Sequence, residues 1–280
     1  MTVLLIFIVL MTGCAAKQPP HTTPSPAERD THEQLQGVLW AQTAAEYQML
    51  ATTVYERATA AFDRASGDPS WTAAIEQEEL GSFSPLPVAV IMDLDETVLD
   101  NSRAQGQFVL DRTPYLPQTW TEWVKLSAAG DVPGAKAFIE HVRGTGGLVM
   151  FVTNRRAADE PATVKNLTDT LKIATTAEDV LSVGENGWTS DKSTRRRFLA
   201  GKYRIALLVG DDLADFVSIA GTKTATDRVA LALKYQSRWR DRWVLLPNPM
   251  YGSWERILIP GLTDDADVLR KKRETVKGFR

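Results

Sequence analysis

The sequence predicts an α/β fold in which helices flank a parallel β-sheet, and two observations carry this prediction. Three continuous apolar runs lie at 88–92, 148–152 and 205–209, and each ends in a polar cluster. An uninterrupted run of this length is typical of a strand buried on both faces. Segments with helical spacing separate the runs, which is the order that right-handed crossovers produce. The 280 residues suffice for one such domain with an added helical part.

The composition is that of an ordinary globular protein, with 44% hydrophobic residues. A net charge of -3 gives no indication of a nucleic-acid polymer as partner. The sequence leaves the oligomeric state open, a homodimer included.

The N-terminal end predicts a lipid anchor. An apolar run at 3–11 is too short to span a bilayer, and Thr12-Gly13-Cys14 follows it. Small residues before a cysteine indicate a signal peptide over 1–13, cleavage before Cys14 and acylation of its thiol. An ordinary signal peptide or a short buried segment stays open, and the absence of Lys or Arg before the run departs from the usual pattern.

A lipidated Cys14 would place the protein on the cell envelope, and on the outer membrane in a Gram-negative cell, because Ala15 and not Asp follows the cysteine. Residues 14–26 hold four prolines with Thr, Ser and Gln, which predicts an extended tether.

The next segment, 27–84, predicts a helical accessory part. Apolar residues recur near helical spacing over 27–65, as one long or two shorter helices, and a short helix is expected within 71–80. The catalytic domain is expected over 85–262 and a charged segment over 263–280. An aromatic-rich insert at about 101–130 follows the first strand, where an insert can overhang a site as a cap.

Further elements complete the predicted sheet domain. Helices are expected over 133–143 and 161–173, and a short strand near an edge over 179–183. Another helix runs to about Leu199, with Ser190 as its N-cap. A last strand is expected over 243–246.

The polar clusters that follow the strands predict a catalytic site. They are Asp93 and Asp95, Thr153 and Asn154, and Asp211 and Asp215, with Lys192 at the start of a helix. Because the carboxyl ends of parallel strands share one edge, the clusters can meet there. Neighbouring carboxylates repel unless a cation or proton joins them, and Mg²⁺ suits such ligands. Acids for a metal with Lys and N–H groups for phosphate oxygens point to phosphoryl transfer.

The same residues resemble the four motifs of the haloacid dehalogenase superfamily, in order: 93–97 (DLDET), Thr153, Lys192 and 210–215 (GDDLAD). With 93–102 (DLDETVLDNS) and 246–254 (LPNPMYGSW), the chain resembles more closely the bacterial lipoprotein acid phosphatases of class C, which act as 5′-nucleotidases. The resemblance covers roughly 80–257 and implies a haloacid dehalogenase-like, Rossmannoid sheet. Asp212 departs from that branch, which often has Asn there, and adds a negative charge beside the metal.

Chemistry and resemblance together suggest a role for each residue. Asp93 is expected to be the nucleophile, and Asp95 the general acid and then the base. The expected metal ligands are Asp93, Asp95 through its backbone carbonyl by resemblance, Asp211 and Asp215. Thr153, the N–H of Asn154 and Lys192 are expected to bind the phosphoryl group.

The resemblance further implies that aromatic rings hold a nucleobase, so that nucleoside monophosphates are the expected substrates among small phosphomonoesters. Tyr251 is the best match, and Tyr115, Trp120 or Trp123 could form the opposing wall. Each ring could instead serve only packing. Two alternatives to a hydrolase stay open at this point: a phosphotransferase of the same fold, and a non-catalytic lipoprotein that binds a ligand.

Overall fold

The computed structural model describes residues 32–279, so the predicted signal peptide, Cys14 and the tether lie outside the described residues. The predicted fold class is confirmed: five parallel strands form one sheet flanked by helices, in the order β5-β4-β1-β6-β7. The strands are β1 (Val88–Met92), β4 (Leu148–Arg156), β5 (Val180–Val183), β6 (Arg204–Gly210) and β7 (Trp243–Leu245). β2 (Leu99–Asp100) and β3 (Gly130–Asp131) form a separate antiparallel pair.

Eleven α-helices occur in the described part of the chain. They are α1 (Leu35–Thr43), α2 (Ala45–Gly67), α3 (Ile75–Leu80), α4 (Ser102–Asp111), α5 (Pro117–Leu126), α6 (Ala135–Gly144), α7 (Glu160–Lys165), α8 (Ser193–Ala200), α9 (Ala225–Lys234), α10 (Ser253–Arg256) and α11 (Asp265–Thr275). None of them is long and apolar enough to cross a membrane.

The central strand β1 supplies both hydrophobic cores. Because side chains alternate along a strand, Val90 and Met92 enter one core while Ala89 and Ile91 enter the other. Helices α2 and α6 pack on the first face, and α3 and α8 contribute to or border the second. The buried residues of α2 recur at Ala51, Tyr55, Ala58, Phe62 and Ala65, a helical spacing that turns one stripe toward the sheet.

Helix α2 therefore buries its apolar stripe in the same core as one face of the sheet, whereas the buried residues of α1 pack in a small separate cluster with Met250. The segment 27–65 contains two helices in its described part, α1 and α2. The predicted insert contains α4 and α5 and is framed by the β2–β3 pair. The edge position predicted for β5 is confirmed.

The predicted N-cap of α8 is wrong. Helix α8 begins at Ser193, and Lys192, not Ser190, occupies the cap position without a side-chain capping bond. The carboxylate of Asp191 instead accepts the Ser193 N–H at 2.8 Å. The Asp191 side chain thus satisfies a free amide at the N-terminus of α8. Lys192 lies directly before the first residue of this helix.

Candidate active site

The carboxyl edge of the sheet brings together the two central clusters. Asp93 directly follows β1, and its N–H donates to the carbonyl of Val209 in β6 at 2.9 Å. Asp211 and Asp215 follow β6. Carboxylate oxygens of these three aspartates lie within 4.8 Å of one another. The predicted convergence is therefore present in the structure.

Lys192 joins two of these carboxylates. Its Nζ donates to Asp93 Oδ1 at 2.5 Å and to Asp215 Oδ1 at 2.6 Å, and only 5% of its side chain is exposed. One ammonium can neutralise one of the three carboxylates, so the cluster keeps an excess of negative charge. Clustered carboxylate oxygens are the ligands of hard divalent cations, and this donor set fits such an ion.

Burial dominates the electrostatics of the cluster. It raises the pKa of Asp93 to about 7, against the lowering effect of Lys192 and with further increases from Asp215 and Asp95. Burial, Asp215 and Asp93 raise the pKa of Asp211 well above its usual value. Burial alone would lower the pKa of Lys192, but Asp215 and Asp93 raise it overall. A positive charge is thus favoured at Lys192, and a second cation would relieve the carboxylates.

Asp215 can approach the end of β6 only because residue 210 is a glycine. A Cβ at Gly210 would lie 2.3 Å from Asp215 Oδ2, well inside any allowed contact. The same Oδ2 accepts the N–H of Asp212 at 2.9 Å and closes the turn that carries Asp211. The glycine of this motif is therefore required by close approach.

Asp95 lies two residues beyond Asp93 and is held by groups that the sequence analysis missed. Its Oδ1 accepts from Arg155 Nε at 2.9 Å and from Asn101 Nδ2 at 2.9 Å. The Arg155 guanidinium lies 5.7 Å from the centre of the Trp120 ring. Asn101 Oδ1 accepts the indole N–H of Trp123 at 2.8 Å. Arg155 directly follows the predicted Thr153 and Asn154, and this position is the signal that could have found it.

Thr153 and Asn154 lie at the expected edge, in β4 but just beyond Phe151, the last residue of that strand that pairs with β1. Thr153 is fully buried, and its Oγ1 accepts the N–H of Arg155 at 3.1 Å. The Asn154 side chain accepts from Arg195 Nη2 at 2.6 Å and donates to the carbonyl of Ser190 at 3.1 Å. These bonds tie the end of β4 to the turn that precedes Lys192.

The loop after β7 approaches the cluster through Asn248, a second residue that was missed. Asn248 Nδ2 donates to Asp211 Oδ2 at 2.9 Å, while its Oδ1 accepts the N–H of Met250 at 2.9 Å. Thr97 Oγ1 donates to the other oxygen of Asp211 at 3.2 Å. The LPNPMYGSW segment had marked this loop, but its asparagine was not singled out.

Asp212 does not belong to the three-carboxylate cluster. It accepts the N–H of Ser253 at 2.6 Å and that of Ala214 at 2.9 Å, and Arg228 lies 3.8 Å away. These partners outweigh burial and lower its pKa. The extra negative charge expected beside the metal is thus largely compensated by its own neighbours, although it still contributes to the raised pKa of Asp211.

The aromatic residues predicted to hold a base differ in exposure and contacts. The Tyr251 ring is half-buried, and its hydroxyl donates to Glu96 Oε2. Tyr115 is 52% exposed and lies 6.3 Å from the Trp120 ring, centre to centre. Trp123 packs against the main core. The role of these rings in substrate binding stays a prediction.

Comparison with known proteins identifies relatives of this chain. Residues 14–254 match the family described as HAD superfamily, subfamily IIIB (acid phosphatase), where HAD denotes haloacid dehalogenase. A class C acid phosphatase from Bacillus anthracis is similar in structure, with a TM-score of 0.76 and 28% sequence identity over 89% of this chain and 98% of that chain. The Bacillus anthracis class C enzyme with tungstate bound is also similar, with a TM-score of 0.75, 27% identity and the same coverage.

Proposed function

The chain belongs to subfamily IIIB of the HAD superfamily and is a phosphomonoester hydrolase, and from this premise we propose that it is a Mg²⁺-dependent 5′-nucleotidase. One observation carries the proposal: Lys192 bridges Asp93 and Asp215 beside Asp211, with Asp95 two residues from Asp93. This set offers a nucleophile, a proton donor, a cation and carboxylate ligands in one place. A non-catalytic ligand-binding role would leave it without a purpose.

In the proposed reaction, a carboxylate oxygen of Asp93 attacks phosphorus and the bond to the leaving alcohol breaks. Asp95 gives its proton to the departing oxygen. Asp95 then takes a proton from water, and the resulting hydroxide attacks the aspartyl-phosphate. Inorganic phosphate leaves, and both aspartates return to their starting forms.

The surrounding groups bind and orient the phosphoryl group. Lys192 lies against Asp93 and can neutralise charge on phosphate oxygens, while the Thr153 hydroxyl and the N–H of Asn154 can donate hydrogen bonds to them. A bound Mg²⁺ would be held by Asp93, Asp211 and the backbone carbonyl of Asp95, with Asp215 supporting it, and would offset charge on the phosphoryl oxygens. The tungstate in the Bacillus anthracis relative is an oxyanion like phosphate, which supports an oxyanion site here.

The proposed preference for nucleotides depends on Tyr251. Its hydroxyl is held by Glu96, an immediate neighbour of Asp95, so the ring is anchored close to where a leaving group must lie. A base stacked on an aromatic ring gains roughly 1–3 kcal/mol whatever its identity. Tyr115, Trp120 or Trp123 from the α4–α5 insert is the proposed opposing wall.

Phosphate release from p-nitrophenyl phosphate, with EDTA and after Mg²⁺ is returned, tests the reaction and its metal. We expect EDTA to abolish turnover and Mg²⁺ to restore it, with AMP preferred over p-nitrophenyl phosphate. Undiminished activity in EDTA would contradict the metal site. Phosphorylated alcohol as the main product, in the presence of glycerol, would indicate a phosphotransferase.

The proposed location is the cell envelope, through a lipid on Cys14. The motivation is the Thr12-Gly13-Cys14 sequence after an apolar run. Metabolic labelling with a radioactive fatty acid should mark the wild type and not Cys14→Ser, while both remain active. Labelling that persists in the variant would refute the anchor.

A further inference from the structure

A buried ion pair joins helix α3 to the 211–215 loop, which carries Asp211 and Asp215. Arg196 of α8 donates from Nε at 3.0 Å and from Nη2 at 2.7 Å to one oxygen of Glu76 in α3. Arg196 is fully buried and Glu76 is 4% exposed. The other oxygen of Glu76 has no hydrogen-bond partner within residues 32–279. Within this part of the chain, Arg196 is therefore the only hydrogen-bond partner of the Glu76 carboxylate.

The remaining arm of the guanidinium reaches the loop that carries the aspartates. Arg196 Nη1 donates to the backbone carbonyl of Ala214 at 3.1 Å and to that of Asp215 at 3.0 Å. Lys192 lies one helical turn earlier, and its carbonyl accepts the N–H of Arg196 at 2.9 Å. Lys192 binds the carboxylate of Asp215 while Arg196 binds its backbone, so one face of α8 holds this residue at two points.

We propose that Glu76 and Arg196 are positioning residues that set the 211–215 loop for cation binding. Arginine suits this role because its planar fork can hold a carboxylate on one side and two carbonyls on the other. Glu76 fixes the guanidinium from outside the sheet, and the orientation of Asp215 passes on to Asp211 through its bond to Asp212 N–H. The inference rests on the proposed metal site.

A purely structural role predicts that any variant which restores the stability of the fold also restores cation binding. Removing one partner of a buried ion pair is costly because the other charge is left unpaired, whereas replacing both with apolar residues is often neutral or stabilising. Apolar side chains of similar length can restore packing between α3 and α8. They cannot donate to the carbonyls of Ala214 and Asp215.

Calorimetric titration of the metal-free full chain with Mg²⁺ alone tests the proposal without relying on turnover. We expect the dissociation constant to rise about tenfold or more in Glu76→Gln and in Arg196→Lys. The matched control is Glu79→Gln with Arg197→Gln, because that exposed pair joins the same two helices without touching the loop. Its Mg²⁺ affinity should stay within twofold of the wild type.

The decisive variant is Glu76→Met combined with Arg196→Met. Positioning predicts that its melting temperature returns to near the wild-type value while Mg²⁺ binding stays weak. Recovery of binding together with stability would overturn the proposal, and so would failure of this variant to fold. If wild-type protein itself bound no Mg²⁺, the proposed metal site would fail instead, so the two failures are distinguishable.

Discussion

Arg155 binds Asp95 through two nitrogens that converge on a single oxygen. Nε lies 2.9 Å and Nη2 2.7 Å from Oδ1, and the Arg155 side chain is only 1% exposed. Asn101 donates to the same oxygen. Within residues 32–279, no hydrogen bond engages Oδ2. The structure therefore fixes the carboxyl plane of Asp95 through one oxygen and leaves the other open for the proton transfer that we propose for Asp95.

Arg155→Lys should lower kcat about tenfold to a hundredfold with little change in KM, because a single ammonium cannot hold the plane of Asp95. Steady-state kinetics with p-nitrophenyl phosphate measures both constants. Arg156→Lys is the matched control, since this neighbour is largely exposed and pairs with Asp159 instead. Equal kinetics for the two variants would show that Arg155 does not orient the acid.

Asp93→Asn should reduce turnover about a thousandfold or more, because the amide cannot attack phosphorus. The metal-free fold should be no less stable than the wild type, since burial already disfavours the charge at this position. Denaturant unfolding in EDTA, measured beside phosphate release, separates the two effects. Activity within tenfold of the wild type would exclude the covalent mechanism.

Tyr251→Ala should lower kcat/KM for AMP about tenfold to a hundredfold and leave p-nitrophenyl phosphate nearly unchanged, because the smaller substrate lacks the stacked base. Tyr251→Phe is the control, since it keeps the ring and removes only the bond to Glu96. Phe should therefore retain most of the preference for AMP. Equal losses for both substrates in the Ala variant would make Tyr251 a packing residue.

The pair of Glu160 and Glu185 should make stability depend on pH. Burial, a hydrogen bond with Glu185 and the charge of Glu185 raise the pKa of Glu160 from 4.5 to about 7. Between these values the folded chain keeps a proton that the unfolded chain has lost, so stability falls as pH rises through this window.

Glu160→Gln should therefore unfold at a higher urea concentration than the wild type at pH 7.5 and at a similar one at pH 4.5. Urea unfolding at both pH values measures the difference. Glu185→Gln removes the other carboxyl and serves as the partner control, and the double variant should add little to either change. An equal difference in urea midpoint between Glu160→Gln and the wild type at both pH values would contradict the interpretation that folded Glu160 keeps a proton beside Glu185.

Local patterns were sufficient to predict the strands and the convergence of Asp93, Asp211, Asp215 and Lys192. The apolar runs before Asp93, Thr153 and Asp211 specify buried strands by themselves, and parallel strands bring their ends to one edge. The GDDLAD motif marked Gly210 in the sequence, but only the structure shows the steric reason for a glycine there. The predicted N-cap of α8 was wrong because the helix begins later than Ser190 suggests, after Lys192, and Asp191 accepts the first helical amide instead.

The sequence by itself determined the α/β class and where Asp93, Asp211, Asp215 and Lys192 would meet, because apolar period and motif order are local properties. Only the tertiary structure decided what holds them. Arg155 reaches Asp95 across 60 positions, and Arg196 reaches Glu76 across 120. A charged side chain in a helix or after a strand has the same local pattern whether it faces solvent or a buried partner. The packing of distant elements decides between these two environments, because a buried charge is stable only where it is paired and hydrogen-bonded.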